Sequence, residues 1–117
     1  MRNLTLLTDL YELTMAYGFY RHKKHEEEAV FDIFFRQNKL ITYSLAAGLQ
    51  QAMDYLLNWR FSAEDMDYLR SLKLFEEGFL RYLEKMRFTG DVYAVREGEP
   101  VFPGEPILTV KAPLIQA

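Results

Sequence analysis

The 117-residue sequence contains no cysteine, only four prolines and six glycines, and no long hydrophobic run. Without cysteine there is no disulfide framework, no thiolate ligand for zinc and no cysteine nucleophile. Charged or amide side chains interrupt every apolar stretch, far short of the roughly 20 apolar residues that a membrane-spanning helix requires. We therefore expect no membrane segment, no signal peptide and a cytoplasmic location.

The sequence has no large excess of either positive or negative charge. There are 14 Lys and Arg against 17 Asp and Glu, which leaves a formal net charge of -3. Proteins that bind nucleic acid through its phosphates carry clustered positive charge, so nucleic acid is not an expected partner. Half of the residues are hydrophobic and 15% are aromatic, which is typical of a single folded domain.

Hydrophobic periodicity predicts four helices within residues 1–88. The first is expected to begin near Asp9, which with Glu12 resembles a capping box, and the third at Ser62, which pairs in the same way with Asp65. On the fourth helix, Glu77 is spaced for an ion pair with an arginine one turn later, Arg81. The apolar stripes are Leu6, Leu10, Leu13 and Tyr17 on the first helix, Leu49, Ala52, Met53, Leu56 and Leu57 on the second, and Phe75, Phe79, Tyr82, Leu83 and Met86 on the fourth.

Alternating residues predict three strands. The first covers residues 29–36, and because Phe34 makes its second side largely apolar, we expect both faces to be covered. Residues 92–96 and 107–111 form the other two, on either side of a type II turn at Pro103-Gly104.

These elements together predict an α+β domain. Residues 1–88 are mainly helical with one strand, residues 89–112 are the β segment, and residues 113–117 have the start of another helix. Because an apolar helix rarely ends when barely begun, we expect the chain to be a fragment of a longer protein. Such a piece would expose apolar surface, so we expect it to be marginally stable or to associate.

Few residues stand out as chemical candidates by themselves. His22 and His25, with Glu26 beside them, have a spacing that can hold a metal, but they lie in a run of charges that is typical of a solvated loop. Tyr11 fits either packing or stacking on a ligand, and Arg36 fits either a sheet edge in solvent or a phosphate site.

Three stretches, in order and spacing, resemble the N-terminal portion of nicotinate phosphoribosyltransferase. They are LLTDLYELTMAYG at residues 6–18; FDIFFR at 31–36 with AAGL at 46–49; and RFTGDVY at 87–93 followed by EG at 97–98, FPGEP at 102–106 and APLI at 112–115. The resemblance implies the N-terminal α/β sandwich domain of a type II phosphoribosyltransferase, without the irregular α/β barrel that follows it. The loop after the arginine, residues 37–43, departs from the pattern of many members.

The resemblance also implies an activity and two binding residues. Family members join nicotinate to phosphoribosyl pyrophosphate, giving nicotinate mononucleotide and pyrophosphate in NAD biosynthesis, with ATP hydrolysis and Mg²⁺. By matching motifs, Tyr11 stacks on the nicotinate ring and Arg36 holds phosphate of phosphoribosyl pyrophosphate. No catalytic residue is carried over, because the phosphorylated histidine and most ATP and Mg²⁺ contacts lie beyond residue 117. A homodimer with a shared active site is implied as well.

Two alternatives remain open from the residues. The chain can be a naturally short, non-catalytic assembly module that docks onto full-length subunits of its family. It can also be a biotinyl or lipoyl carrier with Lys111 as the modified residue, although such carriers present their lysine at the tip of a hairpin.

Overall fold

The computed structural model describes residues 3–117. These residues form an α+β domain, as the sequence predicts, with the four expected helices and with five strands instead of the expected three. In chain order they are α1 (Leu10–Arg21), β1 (Glu28–Ile33), β2 (Ser44–Leu45), α2 (Leu49–Asn58), α3 (Ala63–Ser71), α4 (Glu77–Lys85), β3 (Asp91–Ala94), β4 (Pro100–Val101) and β5 (Leu108–Pro113). No helix within residues 3–117 is long and apolar enough to cross a membrane.

The hydrophobic core lies among the helices. The fully buried side chains come from α3 and α4: Met66, Leu69, Phe79, Leu80 and Leu83. Burial of each such side chain contributes roughly 1.5–3 kcal/mol. Helix α1 packs against this cluster through partly buried residues that include Leu13 and Tyr17. Leu10, expected on the same stripe, is half exposed because it occupies the first position of the helix.

One of the two predicted capping boxes forms. At the start of α3, the Asp65 amide donates to Ser62 Oγ (3.2 Å) and the Ser62 amide donates to the Asp65 carboxylate (2.8 Å). The expected cap at Asp9 is wrong: the residue has the extended backbone of an N-cap, but its side chain makes no capping hydrogen bond. Asp9 is exposed, so its carboxylate is accessible to solvent.

The predicted Glu77–Arg81 pair is replaced by a pair between two helices. Arg70 of α3 donates to both carboxylate oxygens of Glu77, through Nε at 3.3 Å and Nη2 at 3.1 Å. The planar guanidinium reaches both oxygens at once, which a neighbour on the same helix does not do here. This hydrogen bond holds the pKa of Glu77 below its ordinary value.

The three longer strands form one antiparallel sheet in the order β1-β5-β3. The central strand β5 pairs Lys111 with Val30 on one side and with Asp91 on the other. The strands β3 and β5 begin one residue before and one residue after the predicted starts, and β5 continues to Pro113. Residues 114–117 then form a single turn in which Gln116 and Ala117 both donate to the Pro113 carbonyl. A separate pair, β2 with β4, had no signal in the sequence.

Strand β1 ends at Ile33, three residues earlier than predicted. The segment that faces the end of β1, just before β5, contains Pro106, which has no amide hydrogen to donate to the ladder. The carbonyl of Phe35 accepts instead from Gly104 (3.0 Å). Gly104 has φ of 82° and lies in the predicted Pro103-Gly104 turn, which the Glu105 amide closes on the Phe102 carbonyl (3.1 Å).

The expectation that both faces of β1 are covered is also wrong. Val30, Phe31 and Ile33 are 58%, 53% and 58% exposed, because the helices of residues 3–117 do not pack over this strand. The outer edge of β1 is unpaired within the same residues. The domain therefore has a closed helical side and an open apolar side.

Gly90, directly before β3, lies where the structure leaves no room for a side chain. A Cβ atom on Gly90 would lie 2.5 Å from Ala112 Cβ and 2.7 Å from the Lys111 carbonyl, whereas one on Gly18 in α1 meets nothing within 4 Å. We expect Gly90→Ala to lower the free energy of unfolding by about 1–3 kcal/mol. The matched change Gly18→Ala removes a glycine from a helix interior and should raise it by about 0.5–1 kcal/mol. Urea unfolding of both variants tests this, and equal effects would contradict the packing at Gly90.

Candidate functional site

An open groove of about 450 Å³ lies between α1, β1, the end of α2 and the C-terminal turn. Aromatic and aliphatic side chains provide most of its wall, including Tyr11, Met15, Phe19, Phe31, Trp59 and Leu114. The polar lining residues are Thr5, Thr8, Glu12 and Gln116, together with the hydroxyl-bearing Tyr11 and Tyr55. An apolar cleft with a small number of polar groups is the usual form of a small-molecule site.

Helix α1 presents Tyr11 to this groove because the helix has two apolar faces. Residues at 11, 15 and 19 are spaced by four and line the groove, whereas Tyr17 faces the core and Leu13 contacts both. Tyr11 is 60% exposed, so its ring is accessible. An aromatic face can hold a flat ring without any proton transfer. Tyr11, predicted as a ligand-stacking residue, thus lies on a wall of the groove.

Arg36 lies elsewhere. It follows the end of β1 by three residues, is exposed, and is not among the residues that line the groove. The structure therefore does not bring the two predicted binding residues into one cavity. The backbone just before Arg36 is held, however, because Phe35 accepts a hydrogen bond from Gly104.

The histidine run is not the uniformly solvated loop that we expected. His22 is exposed, but His25 packs against the rings of Tyr20 and Tyr82, with centroids 5.2 Å and 5.0 Å away. The Nδ1 atom of His25 is buried and has no hydrogen-bond partner. Glu26 accepts a hydrogen bond from the Tyr82 hydroxyl, and burial together with this bond raises the pKa of Tyr82. These contacts fix the loop to α4 rather than form a ligand set.

Mg²⁺ and ATP are the cofactors that the family resemblance implies. Among residues 3–117 there is no group of three or more His, Asp or Glu side chains that could hold a metal ion. This finding concerns sites built from protein side chains alone, whereas Mg²⁺ is usually held by one or two carboxylates together with phosphate oxygens of the substrate.

Lys111 is poorly placed for a carrier lysine. It lies within the central strand β5 and its Nζ is 3.3 Å from a carboxylate oxygen of Glu28 on β1. A modified lysine must reach a partner enzyme from the tip of a turn, whereas this one is flanked by strands on both sides. The carrier interpretation has no structural support.

One contact between distant motifs was missed from the sequence. The carboxylate of Glu97 accepts hydrogen bonds from the amides of Gly48 (3.0 Å) and Gln50 (3.4 Å) at the start of α2. An acidic side chain at a helix N-terminus satisfies free amides and complements the helix dipole. Gly48 lies in the motif AAGL, Gln50 directly follows it and Glu97 lies in the motif EG, but nothing local in either motif indicates that they meet.

The described residues thus form an α+β domain in which an exposed tyrosine lines an apolar groove. A family model described as the nicotinate phosphoribosyltransferase (NAPRTase) N-terminal domain matches residues 6–117. The chain belongs to the nicotinate phosphoribosyltransferase family, as the motifs in its sequence predict, and corresponds to the N-terminal domain of that family.

Known relatives are similar over nearly the whole chain. A nicotinate phosphoribosyltransferase of Mycobacterium tuberculosis is 46% identical over 115 residues, which cover 96% of this chain and 24% of the relative. One from Bacillus subtilis is 42% identical over 116 residues, covering 98% and 24%. The crystal structure of human nicotinic acid phosphoribosyltransferase superposes with a TM-score of 0.83 at 34% identity, over 93% of this chain and 23% of that one. The chain spans about a quarter of the length of these relatives.

The open side of the sheet leads to a prediction about association. We expect the isolated chain to self-associate through the unpaired apolar edge of β1. Val30→Lys, which places a charge on that edge, should weaken association about tenfold, since burial of one valine contributes roughly 1.5 kcal/mol. Leu57→Lys, at an exposed leucine of α2, is the matched control and should leave association unchanged. Sedimentation velocity over a range of concentrations measures both, and a monomer at all concentrations would contradict the prediction.

Proposed function

We propose that this chain is the N-terminal part of an enzyme that joins nicotinate to phosphoribosyl pyrophosphate. The ring nitrogen of nicotinate forms a bond to the anomeric carbon of the ribose, and the bond from that carbon to pyrophosphate oxygen breaks. The electron pair leaves with pyrophosphate, and the product is nicotinate mononucleotide. The match of the family model over residues 6–117 is the observation that carries this proposal.

The groove supports a role for this chain in holding nicotinate. We propose that the exposed ring of Tyr11 stacks on the pyridine ring, while apolar neighbours such as Phe31 exclude water from its faces. Stacking of this kind binds the substrate without changing its protonation. Tyr11 is therefore a binding residue, and no residue of this chain is assigned a catalytic proton transfer.

Arg36 is proposed to hold a phosphate group of phosphoribosyl pyrophosphate. It is exposed, and it forms no ion pair with the acidic side chains of residues 3–117, so its guanidinium is available to an anion. A guanidinium presents several donors in a fixed plane that matches phosphate oxygens. Charge on the departing pyrophosphate would be stabilised in the same way.

The rest of the proposed activity involves more than this chain. We propose that ATP hydrolysis with Mg²⁺ assists the reaction through contacts that lie mostly beyond residue 117, and that the enzyme is a cytoplasmic homodimer with a shared active site. The 117-residue piece alone is then inactive. The alternative, a short assembly module that docks onto full-length subunits, uses the same domain without catalysis.

The intact mass of the protein from its source, followed by an activity assay, tests this proposal. A mass several times 13.9 kDa together with formation of nicotinate mononucleotide from nicotinate and phosphoribosyl pyrophosphate is the expected result. Product with nicotinamide but not with nicotinate would overturn the substrate. A native mass near 13.9 kDa, with no product, would favour the assembly module.

Tyr11 provides the first prediction for the complete enzyme. Tyr11→Ala should raise KM for nicotinate about tenfold, since loss of an aromatic pair costs roughly 0.5–1.5 kcal/mol beyond the buried area. Tyr11→Phe keeps the ring and should stay within about twofold of the parent. Steady-state kinetics with each substrate varied in turn gives the comparison. Unchanged KM for nicotinate in the alanine variant would exclude the stacking role.

Arg36 provides the second prediction. Arg36→Ala should raise KM for phosphoribosyl pyrophosphate by about tenfold to a hundredfold, because a charge-assisted contact to phosphate is lost. Arg36→Lys keeps the charge but not the planar fork, so it should recover only part of the loss. The same kinetic series measures both variants. A defect confined to nicotinate would show that the assignment is wrong.

A further inference from the structure

The turn at Phe102–Glu105 is closed by its own glutamate. The Glu105 amide donates to the Phe102 carbonyl at 3.1 Å, and the Phe102 amide donates to the Glu105 carboxylate (Oε2) at 2.9 Å. The backbone carbonyl and the backbone amide of Phe102 thus both form hydrogen bonds with Glu105, one with its amide and one with its carboxylate. Gly104 supplies the positive φ of 82° that the turn requires. The carboxylate therefore braces a turn that the backbone alone closes with one bond.

This turn supports the backbone that leads into Arg36. At the end of β1, the Ile33 carbonyl accepts a hydrogen bond from the Ile107 amide (2.7 Å). Two residues later, the Phe35 carbonyl accepts one from the Gly104 amide (3.0 Å). These two bonds hold the chain beside residues 104–107 although the regular ladder has ended. Arg36 is the next residue, so the direction of its side chain depends on where the turn holds Phe35.

The same turn also contacts the far end of the loop that carries Arg36. The rings of Tyr43 and Phe102 lie 6.4 Å apart between centroids, just before β2 begins. Between these two supports, the loop is stabilised locally by Asn38, whose side-chain oxygen accepts from the amides of Leu40 and Ile41 at 2.8 Å each. The turn therefore touches both ends of the loop, at Phe35 and at Tyr43.

We propose that Glu105 is a positioning residue for Arg36. Its carboxylate stabilises the turn whose Gly104 amide binds the Phe35 carbonyl, and this contact orients the Arg36 guanidinium toward the phosphate of the substrate. The proposal rests on the proposed function and extends it to a residue that does not itself touch the substrate. When the carboxylate is removed, the Phe102 amide loses its acceptor and the Gly104 amide is less well fixed. Arg36 then keeps its charge but loses its fixed direction.

The experiment compares Glu105→Ala with Glu105→Gln in the complete enzyme. Alanine removes the acceptor, whereas glutamine keeps an acceptor oxygen and loses only the charge. We expect alanine to raise KM for phosphoribosyl pyrophosphate about fivefold to tenfold, with KM for nicotinate and kcat within about twofold of the parent. Glutamine should recover the parent values within about twofold. Glu99→Ala, on the same connection between β3 and β5, controls for the loss of one negative charge.

A double variant separates positioning from general stability. If Glu105 acts through Arg36, Glu105→Ala should add less than about twofold to KM for phosphoribosyl pyrophosphate in the Arg36→Ala background. If the enzyme is active and the increases in KM of the two single variants multiply in the double variant, the positioning role is overturned while the proposed function stands. The same conclusion follows if Glu105→Gln is as impaired as Glu105→Ala. A rise in KM for both substrates that follows a lowered melting temperature would likewise overturn the positioning role. If the parent enzyme forms no nicotinate mononucleotide, the proposed function fails and the positioning role fails with it.

Discussion

The pairing of β5 with β1 is the constraint on which the rest of this domain depends. It joins the C-terminal strand to a strand that directly follows the first helix, and β3 attaches only through β5. The groove beside α1 exists because Phe31 on β1 and Leu114 just after β5 are brought to the same side. The backbone before Arg36 is likewise held by residues that lead into β5. Both proposed substrate contacts therefore rely on a single antiparallel ladder.

The helical half of the molecule was predictable because its signals are local. The capping box at Ser62 and the buried stripe of α4 follow from spacing within one turn or two of helix. At two places where the prediction was wrong, the deciding partner lay on another element. Arg70 on another helix replaced Arg81 as the partner of Glu77. Pro106, on the segment that faces β1, ended that strand before Phe34. Short-range patterns do not contain these partners.

The candidate site follows the same division. Motif resemblance drew attention to Tyr11 and Arg36, and the structure finds both exposed, the first on a groove and the second outside it. The groove itself was not predictable, since its walls come from segments far apart in sequence. Glu97 and Glu105 were missed for a related reason: each acts through backbone amides, and an isolated glutamate in a loop gives no sign of the amides it will accept from.

The ladder between β1 and β5 also determines when the domain can fold during synthesis. Asp32 and Thr109, which face each other across it and share a hydrogen bond, are 77 positions apart in the sequence. The helices can pack soon after they leave the ribosome, because their contacts are local, but the sheet must wait for the last strand. Until then the edge of β1 that pairs with β5 is also unpaired on the nascent chain, and the apolar side chains of β1 are exposed. Chaperone demand should thus be greatest in the interval between emergence of the first strand and emergence of the fifth.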